Sequence, residues 1–562
     1  MAAISNTNQR INSLRDRKNA ITIRKILEGF LRDPDFITLR GAGDIATNVA
    51  VGPNTLDANT TGANNTAVGY QALDVNTTGA SNTAVGSGAL GANTTGANNT
   101  AVGKDALLAA TTATGNTAAG TAAGDAITTG SNNSLVGLNA GGALTTGASN
   151  VAVGKDALLV ATTATNDVAI GATAGDALTT GSDNTAVGFN ALGAATTGAN
   201  NAAVGSGALA AVTVGTGNVG VGKDAGDALT TGVNNVAIGL DALGAETTGI
   251  DNIAIGKGAL IIQAGATGNV GIGTDAGNAL TTGSNNIAVG LDALGAETTG
   301  INNVAIGKGA LIAQAGATNN VAIGTDAGNA ITTGIDNVAI GLDALGAGTV
   351  CTGCVAIGKS ALLLVTTGIS NIAIGTTAGD VITTGTKNIV IGVASDPSTA
   401  GAVDQQTIGH GITNTANERV IIGGTTAFIA CDWGTDATWD RTSDVRMKND
   451  VQPSDLGLAF VEQLNPIVFR RKPVSQWPSE WGFGKEVDGR PSGEGNTETP
   501  ILGVVAQDVK RALDAVGNPV FNGWKVDMHG RQSISDVYFV YPLINAVKEL
   551  SAEVETLKSR LH

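Results

Sequence analysis

Glycine recurs every 17 residues through most of this 562-residue chain, in one unbroken register of 21 copies from Gly52 to Gly392. With each of these glycines taken as position 0, position −1 is Val or Ile except at Ala119, and position −4 is Asn except at Asp167 and Cys354. Such regularity is typical of solenoids, in which each repeat is one coil that buries a core only by stacking on its neighbours. The chain is therefore predicted to be a stack of 17-residue coils.

The fold class predicted from this pattern is mainly β, with a β-solenoid or β-roll shaft over residues 41–400. A segment such as Asn65–Gly69 is a short strand that ends at a glycine able to adopt positive φ. Strands stacked about 4.8 Å apart make a rod on the order of 100 Å long, along which the Asn side chains can form a ladder. Tyr70 and Phe189 are the only aromatic residues in that range, so we expect a thin core of Ala, Val, Ile and Leu.

A longer repeat of 51 residues, or three coils, is superimposed on the shaft. From Gly86 onward, every third coil carries Gly rather than Leu at position +4, namely Gly124, Gly175, Gly226, Gly277, Gly328 and Gly379. Residues 239–289 and 290–340 are near duplicates. This pattern indicates growth by duplication of triplets, and the sequence alone gives no physical reason for it.

Charge is divided unevenly along the chain, whose net formal charge is −16. Residues 1–40 carry +4, residues 41–442 carry −18 and residues 443–562 carry −2. An acidic shaft argues against nucleic acid as a partner. The chain opens without a signal-peptide hydrophobic core and has no run of about 18 apolar residues, so we expect no membrane span. Three cysteines exclude a disulfide framework.

No cofactor and no metal site is predicted. The stretch Gly353–Ser360 matches the phosphate-binding loop pattern, but it is one register of the repeat and no long helix follows it. Cys351 and Cys354 form a single C-x-x-C, and a zinc site there would need three chains to contribute. Asp recurs at position +2, which favours a solvated acidic ridge, with calcium between coils as the alternative; examples are Asp241, Asp275 and Asp292.

Residues 1–40 differ in character from the shaft that follows. Apolar residues alternate with Arg and Lys, much of it at helical spacing, and the run ends at Asp33-Pro34. The pattern predicts a partly helical anchoring segment. Two interpretations stay open, a helix that caps the first coil and a plug into another component of a particle.

A second domain is predicted over residues 443–562, where charge, Pro and Trp replace the repeat. Residues 458–469 are interpreted as a helix followed by a strand, and residues 501–509 as a strand leading into a helix. Apolar residues then follow heptad spacing over residues 543–561, which predicts a terminal coiled coil that needs partner helices. These residues are Leu543, Val547, Leu550, Val554, Leu557 and Leu561.

The motifs S-D-x-R-x-K at Ser443–Lys448, G-L-x-F-V-x-x-L-x-P-x-x-F, G-x-x-A-Q-D-V and a terminal coiled coil occur in that order. Together they resemble the peptidase S74 family, the intramolecular chaperone at the end of endosialidases, phage tail fibres and tailspikes. The resemblance covers about a fifth of the chain. It implies a domain that trimerises, templates folding of the stalk ahead of it, and cleaves itself off between Thr442 and Ser443.

By the same resemblance, Ser443 is the nucleophile and Lys448 the base of a dyad that acts once, in cis, with no external substrate. A serine hydroxyl attacks only when a base removes its proton, and a lysine can do so only when desolvation or nearby cations keep it neutral. Burial in an assembled trimer would supply that environment. The alternative is that Ser443 and Asp444 cap a helix, with Lys448 on its solvated face.

The repeats, such as Asn235–Gly239, resemble the head repeats of trimeric autotransporter adhesins, although the 17-residue period is longer than is usual there. This resemblance implies a trimeric β-structured shaft. The Thr pairs at positions −9 and −8 form ladders that would also suit an ice-binding face, which is a third and lower-ranked interpretation.

The interpretation that joins both halves is a homotrimeric viral tail fibre or spike for host attachment. The protein would be made in the host cytoplasm and built into the virion through residues 1–40, which bind a tail or baseplate component. Residues 401–442 would become the distal tip after cleavage, and its candidate contacts to a host-surface receptor are His410, Phe428, Trp433 and Trp439. Both tryptophans could instead pack the last coil. The alternative function is a bacterial trimeric surface adhesin, which would need an export signal and a membrane anchor.

Overall fold

The computed structural model describes residues 45, 47–425, 428–432, 439–441, 451–470, 472, 500–518, 521–527 and 530–561. The anchoring segment predicted over residues 1–40 lies outside them. The chain divides into two compact units, Met1–Thr442 and Ser443–His562.

The first unit is a β-solenoid of about 22 coils with a 17-residue period, as predicted. Each coil contributes one three-residue strand at positions −3 to −1, which pairs in parallel with the equivalent residues of the next coil, for example Thr66 with Thr83. Strands β1 to β21 are Val49–Val51, Thr66–Val68, Thr83–Val85, Thr100–Val102, Thr117–Ala119, Ser134–Val136, Val151–Val153, Val168–Ile170, Thr185–Val187, Ala202–Val204, Val219–Val221, Val236–Ile238, Ile253–Ile255, Val270–Ile272, Ile287–Val289, Val304–Ile306, Val321–Ile323, Val338–Ile340, Val355–Ile357, Ile372–Ile374 and Ile389–Ile391.

The core of the shaft is thin, and only one residue of each strand belongs to it. Because side chains alternate along a strand, the middle residue points inward and its two neighbours point outward. In β4 the buried residue is Ala101, whereas Val102 is 43% exposed. The interior is therefore filled mainly by Ala at positions −2 and +3 and by Leu or Ile at +4 and +7. The predicted thin core of Ala, Val, Ile and Leu is confirmed, although most of the strand Val and Ile side chains lie outside it.

The invariant glycine at position 0 is required by close stacking and by its backbone conformation. Gly69 has φ of 134°, and a Cβ placed there would lie 2.6 Å from the carbonyl oxygen of Gly86 in the next coil. Elsewhere in the coil, left-handed φ recurs at −5, +2 and +4, as at Asn98, Asp105 and Leu107. Asn and Asp tolerate this conformation better than most residues, which accounts for the recurrent Asp at position +2 without a bound cation.

The Asn residues at position −4 form the predicted ladder inside the shaft. The backbone N–H of Asn218 donates to Oδ1 of Asn201 at 3.0 Å. Its side-chain Nδ2 donates to the carbonyl oxygen of Gly232 at 2.7 Å. One buried Asn residue thus joins three successive coils. The first Thr of each pair is used in the same way, since the Thr94 hydroxyl donates to the Thr111 carbonyl at 3.1 Å.

The ladder changes chemistry at the two coils that lack Asn. Asp167 still accepts hydrogen bonds from the backbone N–H of Asn184 at 2.8 Å and from its Nδ2 at 3.1 Å, but burial raises the pKa of its carboxyl to about 6. Cys354 offers no amide oxygen to the following coil. It forms a disulfide with Cys351 instead. The sequence pattern did not predict this bond.

The 51-residue repeat coincides with a volume exchange inside the core. A Cβ placed on Gly277 would lie 2.7 Å from Leu260 Cδ2 and 3.1 Å from Leu280 Cδ1. Wherever position +4 is Gly, position +7 is Leu or Ile and fills the space. Wherever position +4 is Leu, position +7 is smaller or polar, as in the pair Leu192 and Ala195. In each of these coils, either position +4 or position +7 therefore supplies the large apolar side chain of the core, but not both.

Two buried carboxylates replace backbone acceptors in the middle of the shaft. Glu246 is fully buried, and its Oε1 accepts hydrogen bonds from the N–H groups of Thr247, Thr248, Gly249 and Gly265 at 2.7–2.9 Å. Glu297 occupies the equivalent place one 51-residue repeat later. In both cases the N–H groups of the Thr pair and of the following Gly, which in other coils donate to the carbonyl oxygen of the first Thr of the next coil, donate to the carboxylate instead.

After β21 the solenoid continues into β22 (Gln406–His410), which still pairs in the 17-residue register. It then changes to β23 (Arg419–Gly424), β24 (Phe428–Asp432) and β25 (Trp439–Arg441). The last three strands are antiparallel, so the repeat ends in a small meander.

The second unit is a small α/β region that ends in a long helix, as predicted. The expected order of helix then strand, followed by strand then helix, is confirmed. Its elements are α1 (Leu458–Val461), β26 (Ile467–Phe469), β27 (Ile501–Gly503), α2 (Ala506–Ala515), β28 (Trp524–Val526), β29 (Gln532–Ile534), a 3-10 helix (Asp536–Phe539) and α3 (Val540–Leu561).

Candidate functional site

The predicted cleavage site and dyad, Thr442, Ser443 and Lys448, lie outside the described residues, as does Trp433. The two compact units divide at the Thr442–Ser443 bond, which is the bond for which the sequence predicts cleavage. The roles of nucleophile and base stay predictions. The structure describes the second unit from Val451 onward.

Three of the four tip candidates belong to strands of the last coils. His410 is exposed at the end of β22. Phe428 begins β24 and is half-buried against a small apolar cluster that contains Ile412 and Ile421. Trp439 begins β25, where it pairs with Cys431 of β24. Contact of these residues with a receptor stays a prediction.

The second unit is built around Phe460 of α1, the aromatic residue of the G-L-x-F motif. Its ring lies 5.5 Å from Phe521 in an edge-on arrangement and 6.4 Å from Phe539 in a stacked one. These contacts join α1 to the segment before β28 and to the 3-10 helix. Buried Val509 and Leu513 of α2 complete the cluster. Two of the motifs quoted from the sequence, G-L-x-F-V-x-x-L-x-P-x-x-F and G-x-x-A-Q-D-V, therefore meet in one core.

The start of this unit is attached directly to the terminal helix α3. Oε2 of Glu549 accepts a hydrogen bond from the backbone N–H of Leu458 at 2.7 Å, at the first turn of α1. Nδ2 of Asn545, one helical turn earlier, donates to the carbonyl oxygens of Ser454 and Leu456 at 3.2 and 3.1 Å. Two polar side chains of α3 thus fix the backbone that lies six to ten residues after Lys448.

Gly457 makes this attachment possible. A Cβ at Gly457 would collide with the carboxylate of Glu549. A carboxylate at the first turn of a helix also satisfies an N–H group that has no partner within the helix. The glycine of the G-L-x-F motif is therefore explained by the approach of α3, which the sequence analysis did not foresee.

The heptad residues of α3 form an exposed apolar row. Leu543, Val547 and Leu550 are 50–59% exposed, and Leu561 is 84% exposed. A groove of about 270 Å³, lined by Leu464, Phe539 and other apolar side chains, adds to the apolar surface of the same unit. A single chain leaves this surface in water, which is unfavourable for so many branched apolar side chains.

Within the described part of the chain, no group of three or more His, Cys, Asp or Glu side chains is arranged to hold a metal ion. The described helices include none that is both long enough and apolar enough to cross a bilayer.

No curated protein matches this chain. Residues 443–518 match the model of the Peptidase S74 family, described as the chaperone of endosialidase. The match begins at the first residue of the second unit and extends just past α2. The chain thus joins a β-solenoid shaft to a segment similar to the endosialidase chaperone, a combination that suggests a protein of the phage tail-fibre or tailspike type.

Proposed function

We propose that this chain is a homotrimeric tail-fibre or tailspike protein that attaches a virion to its host. The second unit sets three copies in register, allows their shafts to fold, and then leaves by cleavage between Thr442 and Ser443. Residues 1–40 bind a tail or baseplate component. Residues 401–442 form the tip that contacts a host-surface receptor.

The exposed heptad row of α3 is the observation that carries this proposal. Three parallel helices can bury such a row against one another, and the burial stabilises the assembly by about 25 cal/mol per Å² of apolar surface. A repetitive shaft needs this device. Because successive coils are almost alike, two copies could associate one coil out of step with little loss of contact. A trimer that forms at one end removes that ambiguity.

The attachment of residues 454–458 to α3 supports a link between assembly and cleavage. Asn545 and Glu549 hold the backbone of that segment on the helix that carries the heptad row. Association of the three helices would therefore fix this backbone and, through it, the chain that leads back to Lys448. A cleavage site ordered in this way would act only in assembled protein.

The chemistry assigned to the dyad is an acyl transfer within one chain. Lys448, kept neutral by its surroundings, accepts the proton of the Ser443 hydroxyl. The hydroxyl oxygen attacks the Thr442 carbonyl carbon, the peptide C–N bond breaks, and the proton passes to the freed amine of Ser443. The resulting ester is hydrolysed by one water, which releases the shaft with a Thr442 carboxylate.

Intact-mass measurement of the full chain tests this proposal. The wild-type protein is expected to give two products, a shaft that ends at Thr442 and a released unit that begins at Ser443. Ser443→Ala and Lys448→Arg are expected to stay intact, because alanine has no nucleophile and arginine keeps the positive charge but cannot act as a base. Ser551→Ala, on the exposed surface of α3, is the matched control and should cleave as the wild type does.

Size measurement under native conditions completes the test. The intact Ser443→Ala protein is expected to be a trimer, since its helices are unchanged. A monomeric Ser443→Ala protein would contradict the assembly role. Cleavage of this variant at the same bond would contradict the assignment of the nucleophile.

A further inference from the structure

The outer side of the shaft strands carries two rows of side chains, at positions −3 and −1. Position −1 is Val or Ile in every strand from β1 to β21 except at Ala119. Where these side chains are most open to solvent they are 36–43% exposed. One apolar row therefore extends along the whole length of the repeat region.

Position −3 divides the shaft into two parts. In β2 to β6 it is occupied by hydroxyl side chains, which are Thr66, Thr83, Thr100, Thr117 and Ser134. In β11 to β21 it is always Val or Ile, namely Val219, Val236, Ile253, Val270, Ile287, Val304, Val321, Val338, Val355, Ile372 and Ile389. Positions −3 and −1 are called the threonine face in β2 to β6 and the apolar face in β11 to β21.

Position −6 changes at the same place in the shaft. It is Ala, Thr or Ser in every coil up to Thr216. From there on Val or Ile recurs, and several of these side chains are open to solvent, including Ile250, Ile301 and Ile369. In β2 to β6 positions −3 and −6 are thus small or polar, whereas from β11 onward position −3 is apolar in every coil and position −6 in about half of them.

The apolar face is too large for the free surface of a single chain. It holds two branched side chains in each of its strands and no ionisable residue. Its exposed apolar area is on the order of 1,000 Å², compared with about 300–600 Å² for the largest patch on a typical monomer and about 800 Å² per partner in a stable complex. A partner of matching length is needed to cover it.

The regular spacing and the charge of the shaft indicate which partner this is. Equivalent side chains recur at the strand spacing of about 4.8 Å, so a partner that covers the face must offer apolar groups at the same spacing over the same length. Another copy of this chain has that arrangement. Residues 41–442 carry a net charge of −18, so the charged surfaces of two copies repel one another. The apolar face carries no charge, and copies can meet there.

We propose that the apolar face of β11 to β21 packs against the same face of the other copies, whereas the threonine face of β2 to β6 remains in water. This inference rests on the homotrimer proposed above and assigns the part of the shaft at which its chains meet. The assembled shaft is then a closed bundle in its C-terminal half and an open, hydrated one in its N-terminal half.

Thiol accessibility in the full-length chain tests this assignment. Val304→Cys and Thr83→Cys place one cysteine at position −3 of β16 and β3, strands whose burial within a single chain is alike. The wild type gives the background, since Cys351 and Cys354 are disulfide-bonded and Cys431 is buried. We expect a hydrophilic maleimide to react at least tenfold more slowly at position 304 than at position 83. A short bis-maleimide should cross-link chains only at position 304.

The outcomes separate this inference from the proposed function. If the protein is a trimer and positions 83 and 304 react at the same rate, the inference is overturned but the proposed homotrimer is not. The same result is expected if the apolar face binds a receptor. A single chain in solution overturns both. As a second variant, Val304→Lys is expected to weaken association of the shafts, whereas Thr83→Lys is not, and equal effects would contradict the assignment.

Discussion

Glu549 in α3 and Leu458 in the first turn of α1 are joined by a hydrogen bond of 2.7 Å, although the two residues lie 91 positions apart in the sequence. The bond joins the element that carries the heptad row to the segment that follows the predicted dyad. In the proposed function, this bond is the route by which assembly reaches the cleavage site, through a side chain that is neither nucleophile nor base.

Glu549→Ala is expected to lower the free energy of unfolding of the second unit by about 1 kcal/mol, as for the loss of a helix cap. We also expect it to slow cleavage several-fold, because residues 454–458 lose one of their attachments to α3. Glu553→Ala, one turn further along the same exposed helix, is the control. Urea unfolding and the time course of cleavage by mass spectrometry measure the two effects. Normal cleavage in the Glu549 variant would argue against the route.

Leu550→Asp should dissociate the trimer and abolish cleavage, because a carboxylate in a heptad row cannot be buried without a partner. Ala552→Asp, which lies away from that row on the same helix, should change neither. Sedimentation of the uncleaved proteins, each also carrying Ser443→Ala, reports assembly apart from processing. Dissociation by both substitutions to the same extent would mean that α3 associates through another face.

Gly277→Leu is expected to cost about 1–3 kcal/mol by overpacking, and Leu280→Ala about 2–5 kcal/mol by opening a cavity. The double variant should recover most of this loss, since it reproduces the combination found at Leu192 and Ala195. Leucine already adopts left-handed φ at position +4, as Leu260 does, so the backbone tolerates the change. Thermal unfolding of the three variants measures the coupling, and simple additivity would refute the volume exchange.

Asp167→Asn should stabilise the shaft locally at pH 7. Burial raises the pKa of Asp167 to about 6, above its ordinary value of 3.8, so the folded state binds the proton more tightly than the unfolded state does. Stability at this coil is therefore highest near pH 4 and is lost as the pH rises to about 6. Restoring the amide removes this dependence and gains about 2–3 kcal/mol at pH 7. Hydrogen exchange around Asn184, corrected for intrinsic rates, measures it; an unchanged pH profile would contradict the prediction.

Trp433→Ala with Trp439→Ala should weaken binding to host cells while leaving the trimer intact, if these side chains contact the receptor. Large aromatic side chains account for much of the energy at protein contacts, so a loss of about tenfold or more is expected. Cell-binding assays of the variant, alongside its native mass, measure the effect. Undiminished binding would leave the tryptophans with a packing role.

The coil, its single strand and the Asn ladder could be predicted from the sequence because each depends on one residue type at one position of the repeat. The face of the strand that points into the core could not be predicted in this way. Hydrophobicity alone places Val102 inside and Ala101 at the surface, but in this narrow coil the smaller of the two side chains is the buried one. Side-chain volume decides which face of the strand points inward, and the volume available inside a coil cannot be derived from the sequence of one repeat.

The candidate site was predictable only in part for a similar reason. The heptad row of α3 is a local pattern, and the structure confirms its helix. The contacts of Asn545 and Glu549 join residues about 90 positions apart, and no local pattern marks them. Gly457 was the one available signal, since a glycine at the start of a helix indicates a close neighbour.

The pairing of a small residue at position +4 with a large one at +7 has an evolutionary consequence. Both residues lie in the same coil. Coils with Gly and coils with Leu at position +4 already follow one another in every order, including the two consecutive Gly coils at Gly124 and Gly141. Whole coils can therefore be gained or lost by unequal recombination without repairing the interior. A lineage could adjust the length of the shaft in increments of about 4.8 Å, while the segments on either side of it stay as they are.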